Sequence, residues 1–325
     1  MSLLASRYLG LELAHPIIAS ASALTATFDG MRRLEDAGAA AVVMVSLCEE
    51  EVRVEDAAYA TLTEITAGSN PEAATYFPVL PDYRFGLSGH LETLRRAAEA
   101  LHIPVIASLK GVSDDGWLDF ALQLEQAGAA ALELDFCFLS TDFAVTGRDI
   151  ESRHLDVLRR VKNKLKIPIS LKLPPFFTAF GNFVKQLEAA GADGVTLFNR
   201  FQPDMDVEKL SIAGEPELST RPDIRLPLTW IALLSRQVNL SLAAGGGINS
   251  EVGVVKFLLA GADAVATTSS SLLDGPDWMT TLVVGLERWL ERNSFASVAE
   301  VRGRLDAAHF SWPTCYLRER ERVST

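Results

Sequence analysis

Apolar positions along the chain fall into short runs separated by amphipathic stretches, and one unit of that alternation recurs. Four times a helical segment closes on Ala-Gly-Ala and passes almost at once into a β-like run. The copies are Leu34–Ala39 into Val42–Met44, Leu124–Ala129 into Leu132–Leu134, Leu187–Ala192 into Val195–Leu197, and Leu258–Ala262 into Val265–Thr267. Glycine at a helix end adopts the left-handed conformation without a Cβ clash, and flanking alanines let the turn pack closely. Four more apolar runs, Pro16–Ser20, Pro104–Leu109, Pro168–Leu173 and Leu240–Ala244, fit between the copies. They are continuous rather than alternating, as strands buried on both faces are. Eight strands interleaved with helices predict an α/β protein of the (β/α)8 TIM-barrel class, with a doubly wound open sheet as the rival.

The spacing adds one irregularity. Residues 47–102 form an insertion after the second strand, containing Asn70, Pro71, Pro78 and Pro81 and ending in an amphipathic helix at Leu91–Leu101. Long βα insertions usually cover a barrel mouth, so this one is expected to lie over the site. No linker interrupts residues 1–306, which read as one domain, followed by a tail at 307–325.

Composition narrows the partners. The chain is 48% hydrophobic with 22% charged residues, which argues against disorder, and its net charge of −12 argues against a nucleic-acid partner. Cys48, Cys137 and Cys315 are scattered, with no CxxC pair, so neither a disulfide framework nor a zinc site is expected. No charged leader precedes an apolar stretch, and no apolar run reaches the ~20 residues that span a bilayer. The expectation is a cytoplasmic protein acting on a small molecule, with no membrane, metal or nucleic-acid role.

In a barrel of this kind the site is built where the strands end. Those ends supply Ser20, Ala21 and Ser22, then Ser46, Lys110, Glu133, Asp135, Cys137, Lys172, Asn199 and Arg200. After the seventh strand comes Gly245-Gly246-Gly247-Ile248-Asn249-Ser250, and after the eighth Thr268-Ser269-Ser270. Glycines expose backbone N–H groups at a helix start, and neighbouring hydroxyls add donors, the pattern of a phosphate site. Lys172, inside Ile169-Ser170-Leu171-Lys172-Leu173, should point into the barrel. There it either pairs with Glu133 or Asp135 or faces an electron-rich ligand such as a flavin ring.

With these residues in view, the chain resembles the dihydroorotate dehydrogenases, closest to their soluble class 1 branch, over about Leu11 to Leu305. Pro16-Ile17-Ile18 with Ser20-Ala21-Ser22 is similar to the first-strand motif over the flavin. Ser170-Leu171-Lys172-Leu173-Pro174-Pro175 is similar to the flavin-lysine motif, and Phe198-Asn199 to the late asparagine. Gly246-Gly247-Ile248 and Ser269 fall on the FMN phosphate site, and Gly275-Pro276 follows in order. The resemblance implies FMN as cofactor, bound by Ser20, Ala21, Ser46, Asp135, Lys172, Asn199, Gly246, Gly247, Thr268 and Ser269. It implies dihydroorotate-to-orotate chemistry in pyrimidine biosynthesis and a homodimer.

The substrate half departs from the pattern. The family reads Glu-Leu-Asn-Leu-Ser-Cys-Pro-Asn on the fourth strand, with the cysteine as base. Glu133-Leu134-Asp135-Phe136-Cys137-Phe138-Leu139-Ser140 puts Phe138 at that position and Cys137 one residue early. Val45 stands for the family's lysine, Asp135 for an asparagine, and Tyr76 near another. Cys137 or Ser140 is left as substitute base, and Asp135 should repel an orotate carboxylate. Two alternatives stay open: an FMN protein with another substrate or no activity of its own, and a Schiff-base lyase or aldolase using Lys172.

Overall fold

A computed structural model describes residues 3–54, 57, 86–111, 114–136, 140–199, 204–213 and 221–306. Its main sheet is parallel and closed, which excludes the open doubly wound alternative. In chain order the barrel strands are Ile17–Ala19, a second strand in two pieces (Val42–Val43 and Leu47–Cys48), Val105–Lys110, Ala131–Asp135, Ile169–Leu173, Gly194–Leu197, Ser241–Gly245 and Ala264–Thr267. The eighth pairs with the first through Val265↔Ile17 and Ala266↔Ile18, and the second with the third through Val42↔Val105.

The expected helix ends form as expected. Gly38, Gly128, Gly191 and Gly261 all have φ between 91° and 114°. In each copy the alanine after the glycine donates back to a buried residue five positions earlier: Ala39 to Leu34, Ala129 to Leu124, Ala192 to Leu187 and Ala262 to Phe257. The glutamate of the repeat has a further role. Glu35 accepts from the backbone of His102 and Ile103, Glu125 from Lys166 and Ile167, and Glu188 from Asn239. Each therefore ties one helix to the turn that enters the third, fifth or seventh strand. The fourth copy has Leu258 instead, and its carbonyl accepts from Gly303 N at 2.9 Å, docking the last described segment.

The N-terminal end of the barrel is plugged. An antiparallel hairpin, Ser6–Tyr8 with Leu11–Leu13, turns at Leu9 and Gly10, whose φ values of 52° and 79° suit a tight two-residue turn. Leu9 donates its N–H to Ser241 Oγ at 3.0 Å and presses on Gly194, where a Cβ would lie 2.6 Å from Leu9 Cδ2. Tyr8, Leu9, Ile18, Val43, Ile106 and Ala243 belong to the small apolar cluster of the lumen, while a much larger cluster fills the space between strands and helices. A helix at Gly86–Ala100 packs on the helix Phe28–Asp36 and the third strand, in the outer ring. The rest of the insertion, 58–85, and the tail at 307–325 lie outside the described residues. With the lower end closed, access to the lumen is from the C-terminal ends of the strands.

Candidate functional site

The lumen changes character along its length. Its lower part is apolar except for Tyr8, whose hydroxyl donates to Ser170 Oγ at 3.1 Å and lies 3.4 Å from Thr196 Oγ1. Above them Thr196 Oγ1 donates to Glu133 Oε2 at 2.8 Å, and Lys172 Nζ sits 3.6 Å from Glu133 Oε1. Register explains the meeting: Glu133 lies opposite Ser170, and Lys172 lies between Asp135 and Thr196. All are spaced by two along their strands and share the inner face. The lysine does point inward, and its partner is the carboxylate weighed above.

This pair is deeply buried, with side-chain exposures of 14% for Lys172 and 4% for Glu133. Burial pushes the Glu133 carboxyl up; the Lys172 charge opposes that and the Asp135 charge reinforces it. Burial, with Glu133 next, likewise raises the Tyr8 phenol, which stays a neutral donor.

A second polar group sits one layer higher. Ser46 Oγ lies 2.8 Å from Ser108 Oγ and donates to Asp135 Oδ2 at 3.3 Å. Asn199 donates its amide to Asp135 Oδ1, and its own N–H bonds Leu173 O at 2.8 Å. Ser46, Asp135, Lys172 and Asn199 are thus brought together from the second, fourth, fifth and sixth strands. Ser20, 9% exposed, donates its N–H to Thr267 O at 3.0 Å, and Ala21 packs against the lumen cluster.

Across the mouth, Gly246 and Gly247 have φ of 91° and 70°, and a Cβ at Gly246 would meet nothing within 4 Å. They lead into the helix Glu251–Ala260, whose N-cap Ser250 makes no side-chain cap bond. The eighth strand ends at Thr267, so Thr268 is the N-cap of a six-residue helix, Ser269–Asp274, rather than a strand residue. The side chain of Ser269 lies outside the described residues. Thr267 Oγ1 and Ser271 Oγ, in residues 3% exposed, have no hydrogen-bond partner. Sequence reasoning passed over these two. The unbroken Thr-Thr-Ser-Ser-Ser run at 267–271 was the available signal. Open backbone donors and unsatisfied buried hydroxyls suit a phosphate group.

The expected bases fare differently. Ser140 donates to the Asp142 carbonyl at 3.1 Å and joins neither polar group, while Cys137 and Phe138 lie outside the described residues. His154 is on the helix Gly147–Lys162, behind the strands. Its ring lies 4.2 Å from Phe136, its Nε2 has no partner, and burial pushes it down to about 4. Val45 packs against the outer core and contributes nothing to the lumen. Among the described residues no helix is long and apolar enough to cross a membrane, and no group of three or more His, Cys, Asp or Glu could hold a metal ion.

No protein-family model matches the chain. It is similar to proteins named dihydroorotate dehydrogenase B (NAD(+)), catalytic subunit, from Bacillus cereus and Bacillus anthracis. In each case 28% of residues are identical over 228 positions, covering 68% of this chain and 71% of the relative.

Proposed function

This chain is a divergent relative of the dihydroorotate dehydrogenases, and on that footing we propose that it is an FMN-dependent oxidoreductase with a changed substrate site. The observation that carries the reading is the Lys172 ammonium anchored by buried Glu133 at the barrel mouth, two strands from the Gly245–Gly247 turn. A bound flavin supplies hydride transfer, and a fixed positive charge at its N1–C2=O edge stabilises the reduced anion. Glu133 holds that charge in place from below, so Lys172 cannot swing into bulk water without leaving a buried carboxylate alone. Gly246, Gly247, Thr268 and Ser269 would take the FMN phosphate, with the unsatisfied hydroxyls of Thr267 and Ser271 close in sequence. Ser20, Ala21, Ser46 and Asn199 would line the ring. An ion-paired ammonium is a weak nucleophile, which favours this over a Schiff-base lyase.

The nominal reaction is dihydroorotate to orotate. Against it stand Asp135 in an amide's place and Val45 turned to the outer core. Cys137 and Ser140 stay our candidates for the proton acceptor, with Ser140 needing to leave the Asp142 carbonyl.

The test is an absorption spectrum of the purified protein, before and after adding FMN. A flavin band, lost together with bound FMN in Gly246→Val, is the expected result. A colourless protein that takes up no FMN refutes the proposal. Anaerobic dihydroorotate then separates the nominal substrate, which bleaches the band, from a changed one, which leaves it yellow.

A further inference from the structure

The Glu133 carboxylate divides its two oxygens between two kinds of neighbour. Oε2 accepts from Thr196 Oγ1 at 2.8 Å, and Oε1 lies 3.6 Å from Lys172 Nζ. Below Thr196 the hydroxyls continue: Tyr8 donates to Ser170 Oγ at 3.1 Å, and Ser170 Oγ lies 3.4 Å from Thr196 Oγ1. Thr196 gives its one hydroxyl proton to the carboxylate, so toward Ser170 it can only accept. Each proton of the chain Tyr8, Ser170, Thr196 is thus directed at Glu133. The chain ends at buried Tyr8 under the hairpin plug, so the side of the carboxylate turned to the open mouth is the Lys172 side.

Among the described residues, the titratable groups facing Glu133 are Lys172 from the fifth strand, Asp135 from its own and Tyr8 from the hairpin. The other walls present Ile18, Ile106, Ser108, Thr196 and Ala243, which carry no charge. Opposing influences meet on this one carboxyl: burial and Asp135 push it up, while Lys172 and Thr196 pull it down. The ammonium is the counter-ion that makes a charged carboxylate tolerable at this depth. Lys172 also faces the edge where the proposed flavin ring would lie. A second negative charge arriving there must share the same ammonium, leaving two anions against one cation. A like charge nearby raises an acid's hold on its proton, and a dry interior strengthens the effect.

We infer that Glu133 takes up one proton when the bound flavin is reduced and releases it on reoxidation, a proton store seated beneath Lys172. The inference rests on the flavin reading of this site. The hydride donor of the proposed reaction delivers two electrons with one proton to the cofactor. Lys172 Nζ, closing from 3.6 Å to hydrogen-bond distance, passes a second proton to Glu133 Oε1 and recovers one from solvent at the mouth. The N–H bond broken on the lysine is remade, an O–H bond forms on the carboxyl, and the net uptake from solvent is one proton. Thr196 remains the donor to Oε2 throughout. Lys172 is then matched by one anion before reduction, Glu133, and by one after it, the reduced cofactor.

The holoprotein is titrated spectroelectrochemically at a series of pH values, and infrared difference spectra are recorded between the oxidised and reduced forms. Wild type should take up two protons per two electrons through neutral pH, with the C=O band of a protonated carboxyl rising on reduction. Glu133→Gln should take up one and lose the band while keeping its flavin absorbance. Thr196→Val removes the donor to Oε2, which raises the carboxyl in both redox states, and should move the two-proton range to higher pH. One proton per two electrons in wild type overturns the inference, as does a two-proton slope with no carboxyl band or with a band that survives Glu133→Gln. A two-proton range that stays in place in Thr196→Val overturns it too, and that variant with the wild-type spectrum decides the matter if Glu133→Gln does not fold. A protein that takes up no FMN overturns both this inference and the cofactor proposal, whereas FMN bound with single-proton uptake overturns this inference alone.

Discussion

Replacing Lys172 by methionine keeps most of the side-chain volume while deleting the ammonium that faces Glu133 across 3.6 Å. Glu133 is then a buried carboxylate whose remaining side-chain hydrogen bond comes from Thr196 Oγ1 at 2.8 Å. Breaking a buried pair by removing one partner costs about 3–5 kcal/mol, because the surviving charge is uncompensated. Replacing both, as in Lys172→Met with Glu133→Gln, leaves a neutral amide that still accepts from Thr196 and should cost about 1 kcal/mol or less. The double variant is therefore expected to be more stable than the single one. The penalty also has a pH signature. The Glu133 carboxyl is already raised above 4.5 by burial, and loss of Lys172 raises it further. A raised acid favours the folded state most below its unfolded value, and the advantage is lost as pH rises through the folded value. Lys172→Met should thus approach wild-type stability near pH 4.5 and fall away toward neutrality. Urea midpoints by tryptophan fluorescence across that range measure it. A single variant within about 1 kcal/mol of wild type at neutral pH, or a double variant as unstable as the single, refutes the account of the lumen as a coupled pair.

Three further outcomes are expected. Glu125→Ala removes the acceptor for Lys166 N at 2.6 Å and Ile167 N at 3.0 Å, and should cost about 1–2 kcal/mol in a urea titration, discounted for its exposed setting; Glu125→Gln should recover part of that. His90 and His154 are both pushed down by burial to about 4 from 6.5, so each favours the fold fully above pH 6.5 and loses that contribution as pH falls toward 4. This amounts to about 3 kcal/mol per histidine, and His154→Phe should flatten the fall of melting temperature over that range; an unchanged slope would count against it. Gly194→Ala places a Cβ 2.6 Å from Leu9 Cδ2 and 2.8 Å from Ser241 O, and should lower stability by about 1–3 kcal/mol as the hairpin plug is pushed out, read by faster proteolysis at the N-terminus.

The barrel was legible because its signal is local and repeated. Leu-Glu-x-Ala-Gly-Ala encodes a helix end within six residues, and each glycine needs only its own backbone to adopt positive φ. The glycine turn at 245–247 and the hydroxyls at 268–270 were legible for the same reason. What could not be read locally is which way a side chain faces once strands pair. Between Val43 and Leu47 the second strand has three residues where the third has two between Ile106 and Leu109, so the inward turn of Ser46 is absent from the second strand's own pattern. The partner of Lys172 is likewise set by register, which lays Glu133 and Thr196 on either side of it. Short-range conformational preference belongs to the chain, whereas the parity of a strand's faces belongs to its pairing, and the polar arrangement of this site follows from the second.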